Sequence, residues 1–154
     1  MIVTRGFRLS ETPRLIEINE LCYSGVQRPT PSEFNEMLSH GPFIAKVDHD
    51  LSGIEGRIVG FAVCRQDTRS DGMNVYLWSL AVDPEYQGRG VGGNLLREVI
   101  KYYTLAKSSE ISLHVHPSNP AQKLYFDYGF RVEAIARNWY KSEGHGLYMR
   151  RALP

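Results

Sequence analysis

The stretch that decides the fold reads Leu80-Ala81-Val82-Asp83-Pro84-Glu85-Tyr86-Gln87-Gly88-Arg89-Gly90-Val91-Gly92-Gly93. An apolar strand pattern precedes it, and apolar residues recur at helical spacing after it for about four turns. Glycines ahead of a helix let backbone N–H groups approach an anion, and the helix dipole adds partial positive charge there. The segment therefore predicts a strand, a turn that binds a phosphate or diphosphate, and a helix.

The glycines of this segment can be compared with three sequence patterns that bind phosphate groups. Gly88, Gly90 and Gly93 satisfy the G-x-G-x-x-G spacing of dinucleotide-binding folds, but the next strand ends in His114-Val115-His116, without a carboxylate to hold a ribose. The nucleoside-triphosphate loop is excluded because no Gly-Lys-Ser/Thr follows the glycines. The remaining pattern is Gln87-x-x-Gly90-x-Gly92.

The rest of the chain predicts elements on both sides of this turn. Pro13 and the capping box at 30–33 mark two helix starts, and three apolar runs at 43–47, 58–64 and 75–82 predict an antiparallel meander with loops at 48–56 and 66–72. A second capping box, Asn119 to Gln122, predicts a late helix. The predicted order is βααβββαβαββ: an α/β fold with a mixed, mostly antiparallel sheet of about seven strands and about four helices.

Composition sets limits on the class of protein. The chain has 154 residues and a net charge of +1, which predicts a single domain over residues 1–154 and disfavours nucleic-acid and membrane-surface binding. No run approaches ~18 apolar residues, and the N-terminus lacks the apolar segment of a secretory signal. Cys22 and Cys64 fit neither a metal pair nor a disulfide framework, and no metal site is expected. We expect a cytoplasmic monomer or homodimer.

The pattern Gln87-x-x-Gly90-x-Gly92, with Leu80-Ala81-Val82-Asp83-Pro84 before it, resembles the acetyl-coenzyme A binding motif of the GNAT superfamily of N-acetyltransferases. The resemblance extends from about Val75 to Leu153. It implies that acetyl-CoA is the cosubstrate and that strand groups of Leu80, Ala81 and Val82 contact its pantetheine arm. The Val82 amide would stabilise the oxyanion. The diphosphate would be bound by the amides of Gln87, Gly88, Arg89, Gly90, Val91 and Gly92.

A second family landmark is the strand and helix around residues 113–130. The resemblance implies that Asn119 contacts the cofactor and that Tyr125 protonates the departing thiolate. The spacing between these two residues is one shorter than usual in the family. Either the helix starts one residue later in register, or Ser118 takes part of the role of Asn119. Judged from the residues alone, Asn119 could equally be an ordinary helix cap, and Tyr125 a core residue.

The strand position of His114 bears on the amine substrate. RimI-type bacterial ribosomal-protein N-terminal acetyltransferases often have Glu there. His114, with Tyr76 in a Tyr-x-x-Ser-Leu context, is more similar to the eukaryotic N-terminal acetyltransferase that modifies Met followed by a hydrophobic residue. That resemblance implies that His114 and Tyr76 share removal of the amine proton, through water, a role that suits a group with an unperturbed pKa of ~6.5. His114 could instead be a purely structural histidine.

The segment Asn138-Trp139-Tyr140-Lys141 resembles an Asn-Tyr-Tyr segment that closes over the peptide in the same group of enzymes. It implies a peptide groove with Trp139 and Tyr140 on one wall and with Tyr23 and Val26 on the other. Aromatic rings with polar tips suit such a groove. Trp139 could alternatively be a core residue.

These observations predict a direct transfer of an acetyl group from acetyl-CoA to a primary amine, foremost the α-amino group of a protein or peptide N-terminus. A small-molecule amine, such as a polyamine, an aminoglycoside or an amino acid, is the alternative substrate, although the N-terminal half has no acidic cluster for a polycation. A non-catalytic acyl-CoA-binding sensor or scaffold is the alternative from another class.

Overall fold

The computed structural model describes residues 2–40, 43–47, 56–69 and 72–154. Their order of helices and strands is the predicted one. The strands are β1 (Ile2–Gly6), β2 (Phe43–Val47), β3 (Ile58–Arg69), β4 (Gly72–Val82), β5 (Glu110–Val115), β6 (Arg131–Ala136) and β7 (Gly146–Ala152). The α-helices are α1 (Thr12–Cys22), α2 (Pro31–Leu38), α3 (Val91–Leu105) and α4 (Ala121–Asp127).

The strands form one mixed sheet in the order β1-β2-β3-β4-β5-β7-β6. The pairing of β4 with β5 is parallel, and the pairings β1–β2, β2–β3, β5–β7 and β6–β7 are antiparallel. Helix α3 makes the crossover that a parallel pair requires. The predicted α/β fold class is confirmed.

Of the two predicted loops, the structure contradicts one and describes only the end of the other. The loop at 66–72 is wrong over most of its length, because β3 continues to Arg69 and β4 already begins at Gly72. Polar residues do not by themselves end a strand, since one face of a sheet can be in contact with solvent. The other predicted loop, at 48–56, lies outside the described residues except for Gly56.

The chain divides into two compact units. The first comprises Met1–Val63 and Ser79–Val99. Its buried core includes Leu15 and Met37 from the helices, and Phe34 packs edge-to-face against Phe61 with ring centroids 5.9 Å apart. The predicted capping box at the start of α2 is confirmed, since the Glu33 amide donates to the Thr30 hydroxyl and the Thr30 amide donates to the Glu33 carboxylate.

The second unit comprises Cys64–Trp78 and Ile100–Pro154. Its core is built from alternate residues of the strands together with aromatic side chains that follow α4. The buried members include Val75, Ile111, Leu113, Phe130 and Met149. A single domain over residues 1–154 stays a prediction.

The described residues provide neither a cluster of metal ligands nor a membrane-spanning helix. Those residues contain no group of three or more His, Cys, Asp or Glu side chains that could hold a metal ion. Among the helices they form, none has the length and apolar character needed to cross a bilayer.

Candidate active site

A buried ion pair fixes the end of β4, where the glycine-rich turn begins. Asp83 is 3% exposed, its amide donates to the Val59 carbonyl at 2.8 Å, and its carboxylate accepts from the Glu85 amide at 3.0 Å. The Arg14 guanidinium of α1 binds the same carboxylate. Burial alone would raise the pKa of Asp83, but the hydrogen bonds from Arg14 and Glu85 outweigh it, and the pKa is lowered.

The turn itself has the backbone conformation that glycine permits. Gly88 and Gly90 have φ angles of 77° and 82°, and a Cβ at either position would meet no atom within 4 Å. Glycine is therefore needed for the left-handed conformation and not for space. Residues 87–90 are exposed, and α3 begins directly after them at Val91. The first amides of a helix have no partner within it. The six residues predicted to bind the diphosphate thus lie in one exposed turn and the helix start that follows.

The last residues of β4 direct backbone groups to two different sides. The Tyr23 hydroxyl donates to the Leu80 carbonyl at 2.7 Å, and the Cys22 thiol donates to the Val82 carbonyl at 3.1 Å. Alternate peptide groups of a strand face the same side, so the amides of Leu80 and Val82 point away from β3, to which Asp83 is bonded. Ala81, between them, is buried. The Val82 amide is therefore on a side where β3 does not occupy it.

Tyr23 and Val26, predicted to form one wall of the peptide groove, differ in their exposure to solvent. Burial raises the pKa of Tyr23 to about 12, so its hydroxyl is a neutral donor that ties the segment after α1 to β4. Val26 lies in the short 3-10 turn Gly25–Gln27 and exposes much of its side chain. A contact of either residue with substrate stays a prediction.

Within the second unit, Tyr76 and His114 form the predicted pair. The Tyr76 hydroxyl and Nδ1 of His114 are 2.8 Å apart. The register explains the contact, because Tyr76 pairs with Ser112 and His114 lies two residues further along β5 on the same face. Burial lowers the pKa of His114, and burial also raises the pKa of Tyr76 to about 12. At neutral pH the pair is thus a neutral imidazole beside a protonated phenol.

Two further rings enclose His114. Trp139 stacks on it with centroids 3.6 Å apart and planes 7° apart, and Tyr148, its partner across β5 and β7, lies at 5.1 Å. Trp139 is 50% exposed, which excludes the core alternative. Gly146 makes room for the stack, since a Cβ there would lie 3.1 Å from the Cβ of Trp139. The structure therefore places Trp139 directly on the candidate base.

The loop that carries Trp139 and Tyr140 is held by its own backbone and by His116. Asn138 and Lys141 have positive φ angles of 54° and 52°. Nε2 of His116 donates to the Glu143 carbonyl at 2.8 Å, and the Tyr140 ring lies 5.3 Å from the His116 ring. His116 is thus a structural residue of this loop.

Asn119 and Tyr125 belong to the start and the middle of α4. The side-chain oxygen of Asn119 accepts from the Ala121 amide at 2.9 Å. The predicted capping box is wrong, because α4 begins only at Ala121 and the Gln122 side chain donates instead to the carbonyls of His116 and Pro117. Tyr125 is buried, with its ring 5.8 Å from that of Phe130. Their roles toward the cofactor stay predictions.

The sequence reasoning missed part of the site. A cavity of about 300 Å³ borders the Tyr76–His114 pair, and its lining includes Arg65, Asn74 and Trp78. Arg65 and Asn74 lie just outside the predicted strands 58–64 and 75–82 and were given no role. The alternation of Arg65 with Asp67, and of Asn74 with Tyr76 and Trp78, was the available signal.

Comparison with known proteins places this geometry in context. Residues 12–130 match the model of the acetyltransferase (GNAT) family. The chain is similar to N-alpha-acetyltransferase RimI of Mycobacterium tuberculosis strain H37Rv, with 29% identity over 92% of this chain and 86% of the relative. It is also similar to the L-amino acid N-acetyltransferase AaaT of Escherichia coli K12, with 29% identity over 86% of this chain and 84% of the relative.

Among solved structures, NAA60 of Arabidopsis thaliana in complex with a bisubstrate analogue has a TM-score of 0.86 and covers 100% of both chains. Its sequence identity to this chain is 23%. At this identity the likeness concerns the fold alone.

Proposed function

The chain belongs to the acetyltransferase (GNAT) family, and from that premise we propose that it acetylates the α-amino group of a protein or peptide N-terminus. Members of this family transfer an acetyl group to an amine, and the chain is such an N-acetyltransferase. The observation that carries the finer proposal is the Tyr76–His114 pair, with 2.8 Å between the hydroxyl and Nδ1. The similarity to RimI along most of the chain adds to it.

In the proposed reaction, His114 takes the proton of the incoming ammonium group, directly or through water, and the free amine attacks the thioester carbonyl. A new C–N bond forms, and the C–S bond breaks. The Val82 amide donates to the oxygen that becomes negative, and Tyr125 gives a proton to the departing sulfur. The nitrogen loses its second proton as the C–S bond breaks, and that proton restores Tyr125 through solvent. A lowered pKa of His114 supports its role, since the imidazole is then neutral and able to accept a proton at pH 7.

We also propose that the glycine-rich turn binds the diphosphate of acetyl-CoA. The exposed backbone of residues 87–90 and the start of α3 supply N–H groups and positive dipole charge. The positive φ angles of Gly88 and Gly90 fit such a turn, because they allow successive amides to converge on an anion. Asn119 completes the proposed cofactor contacts through the side-chain nitrogen that its cap does not use.

A thiol-release assay with acetyl-CoA tests the proposal. Short peptides with a free α-amine should be acetylated, and mass spectrometry should place the acetyl group on that amine and not on a lysine side chain. His114→Ala should lower kcat/KM by roughly 10²–10⁴-fold, the usual contribution of a general base, and Tyr76→Phe by a smaller factor. The exposed His40 provides a matched control, and His40→Ala should leave the rate unchanged.

Two outcomes would contradict the proposal. Turnover of free amines with none of the peptides would exclude N-terminal acetylation. Full activity in His114→Ala would exclude His114 as the base while leaving the family assignment intact.

A further inference from the structure

Most of the residues that line the cavity beside Tyr76 and His114 have side chains on one face of the sheet. They come from alternate positions of β3, β4 and β5: Arg65 and Asp67, then Asn74, Tyr76 and Trp78, then Ser112 and His114. The proposed proton removal uses Tyr76 and His114 only. Arg65 and Asn74 are polar residues of the cavity that this chemistry does not use.

Arg65 is positioned by two aromatic rings. Its guanidinium carbon lies 5.2 Å from the centroid of the Tyr76 ring and 5.0 Å from that of Trp78. A cation over aromatic faces is held in a defined place without losing its hydrogen-bonding edge. The Arg65 guanidinium is therefore a fixed positive charge at the cavity.

The carboxylate of Asp67 does not satisfy the hydrogen-bonding capacity of Arg65. Oδ1 of Asp67 lies 3.7 Å from Nε, which is longer than a hydrogen bond, and both side chains are partly exposed, at 38% and 41%. Exposed pairs of this kind contribute little. The buried Nε of Arg65 has no hydrogen-bond partner in the part of the chain that the structure describes.

Asn74 is a second, independent sign of a missing acceptor. The residue is only 6% exposed, and its buried side-chain nitrogen has no hydrogen-bond partner among the described residues. A buried polar group without a partner is unfavourable, so such a group in a cavity points to a ligand. Both unpartnered groups are donors, and one carries a positive charge. A carboxylate matches them, because it accepts several hydrogen bonds and is negatively charged.

We propose that Arg65 and Asn74 bind a carboxylate carried by the amine substrate. This inference rests on the proposed function, since it takes the substrate amine to lose its proton at His114. The Tyr76 side chain contacts both the proposed carboxylate-binding group and the proposed base. Its ring contacts the Arg65 guanidinium, and its centroid lies 5.6 Å from that of His114. The carboxylate and the amine are therefore separated by a few bonds. Two sources meet this requirement: an Asp or Glu side chain near a peptide N-terminus, and the α-carboxylate of a free amino acid.

The test compares acids with their amides in both arms. One arm uses peptides that differ only by Glu or Gln at the second position, and the other uses free amino acids against their C-terminal amides. The wild-type enzyme should favour the acid over the amide at least tenfold in kcat/KM, mainly through KM, in at least one arm. The arm that shows the preference identifies the source of the carboxylate.

Variants connect the preference to the two residues. Arg65→Gln should lower the acid-to-amide ratio at least tenfold, and Asn74→Asp, which replaces the donor by an acceptor of the same shape, should lower it as well. Arg97→Gln, at an exposed arginine of α3, is the matched control and should keep the wild-type ratio. Thermal melting of each variant confirms that it is folded.

Binding provides a readout that does not need turnover. The chain has two tryptophans, and both line the cavity, so their fluorescence reports its occupancy. Tighter binding of acids than of amides, lost in Arg65→Gln, would support the carboxylate site even if no peptide or amino acid were acetylated and the proposed function had failed. Equal binding and equal turnover of acids and amides, or a preference that survives in Arg65→Gln, would overturn the inference.

Discussion

His114, the proposed base, contacts two rings that act on different properties of its imidazole. The Tyr76 hydroxyl is bonded to Nδ1 and thereby orients the imidazole and restricts its tautomer. Trp139 covers one face at 3.6 Å and keeps water from it. Burial lowers the pKa of His114, so the neutral form persists to lower pH than in a free histidine. Orientation and desolvation are thus supplied by separate residues and can be changed separately.

Trp139→Ala should raise the pKa of His114 toward its ordinary value of 6.5, because one face becomes hydrated. In its proposed role His114 acts in the neutral form, so a higher pKa moves the acidic limb of the kcat/KM profile to higher pH. The variant should lose at least threefold more activity at pH 6 than at pH 8. A pH–rate profile, with an NMR titration of His114, measures the shift. Trp139→Phe keeps a stacking ring and should shift the limb less; an equal loss at every pH would assign Trp139 to substrate binding alone.

The sequence predicted part of this site and not the rest for a physical reason. Tyr76 and His114 were found because each stands in a local pattern that resembles a family. Arg65 and Asn74 join them only through the pairing of β3, β4 and β5, in which Tyr76 meets Ser112. Register between strands distant in sequence is not written in the local pattern of either strand.

At the scale of elements, one ion pair connects α1 to β3 and β4 within the first unit. The Arg14 guanidinium binds the Asp83 carboxylate and donates to the Ile58 carbonyl at 2.9 Å. Both groups are largely shielded from water, with side-chain exposures of 16% for Arg14 and 4% for Asp83. Without Asp83, the largely buried Arg14 guanidinium would keep its contact with Glu17 at 3.1 Å, but the Glu17 side chain is 58% exposed and compensates a buried charge poorly.

Asp83→Asn should therefore destabilise the protein by about 3 kcal/mol. The lowered pKa of Asp83 also determines how this contribution to the free energy of unfolding depends on pH. The carboxylate stabilises the fold above its ordinary value of 3.8, and this contribution is lost as pH falls through the lower folded value. Urea unfolding measures the free energy of unfolding at pH 7 and at acid pH. The decrease between the two pH values should be smaller for the variant than for the wild type. Asp127→Asn, which breaks an exposed pair with Lys123, should cost under about 1 kcal/mol, and an equal cost at both sites would contradict the argument.

Element boundaries were predictable where a side chain marks them. Thr30 and Glu33 cap α2 as the pattern indicates. Asn119 gave the same signal, yet its oxygen bonds the Ala121 amide and the helix begins later. The polar stretch after Cys64 was taken for a loop because hydropathy does not record backbone pairing, which continues to Arg69.

At the scale of the whole molecule, folding and cofactor binding are thermodynamically linked. A ligand that binds only the folded chain stabilises it by about 2.7 kcal/mol at one hundred times its Kd. For a chain of this size that corresponds to an increase in Tm of roughly 5–10 °C. Coenzyme A should produce such an increase if the glycine-rich turn binds its diphosphate.

Gly90→Ala should reduce that increase. Alanine in the left-handed conformation of Gly90 costs roughly 1–2 kcal/mol, and relief of this strain would move the amides of the turn. Differential scanning fluorimetry with and without coenzyme A measures both effects. Gly6→Ala is the control, because a Cβ there would meet no atom within 4 Å and the backbone is not in the left-handed conformation. An unchanged coenzyme A response in Gly90→Ala would place the diphosphate elsewhere.

The close approach of Gly146 to Trp139 makes position 146 a suitable site for protein engineering. A methyl group at position 146 would fall within 3.2 Å of three atoms of that indole side chain. A graded series of larger residues at this one position would displace the indole by increasing amounts while every reacting group kept its native identity. Such a series could be matched with inhibitors carrying complementary bulk, so that one engineered copy responds to a compound that the natural protein ignores.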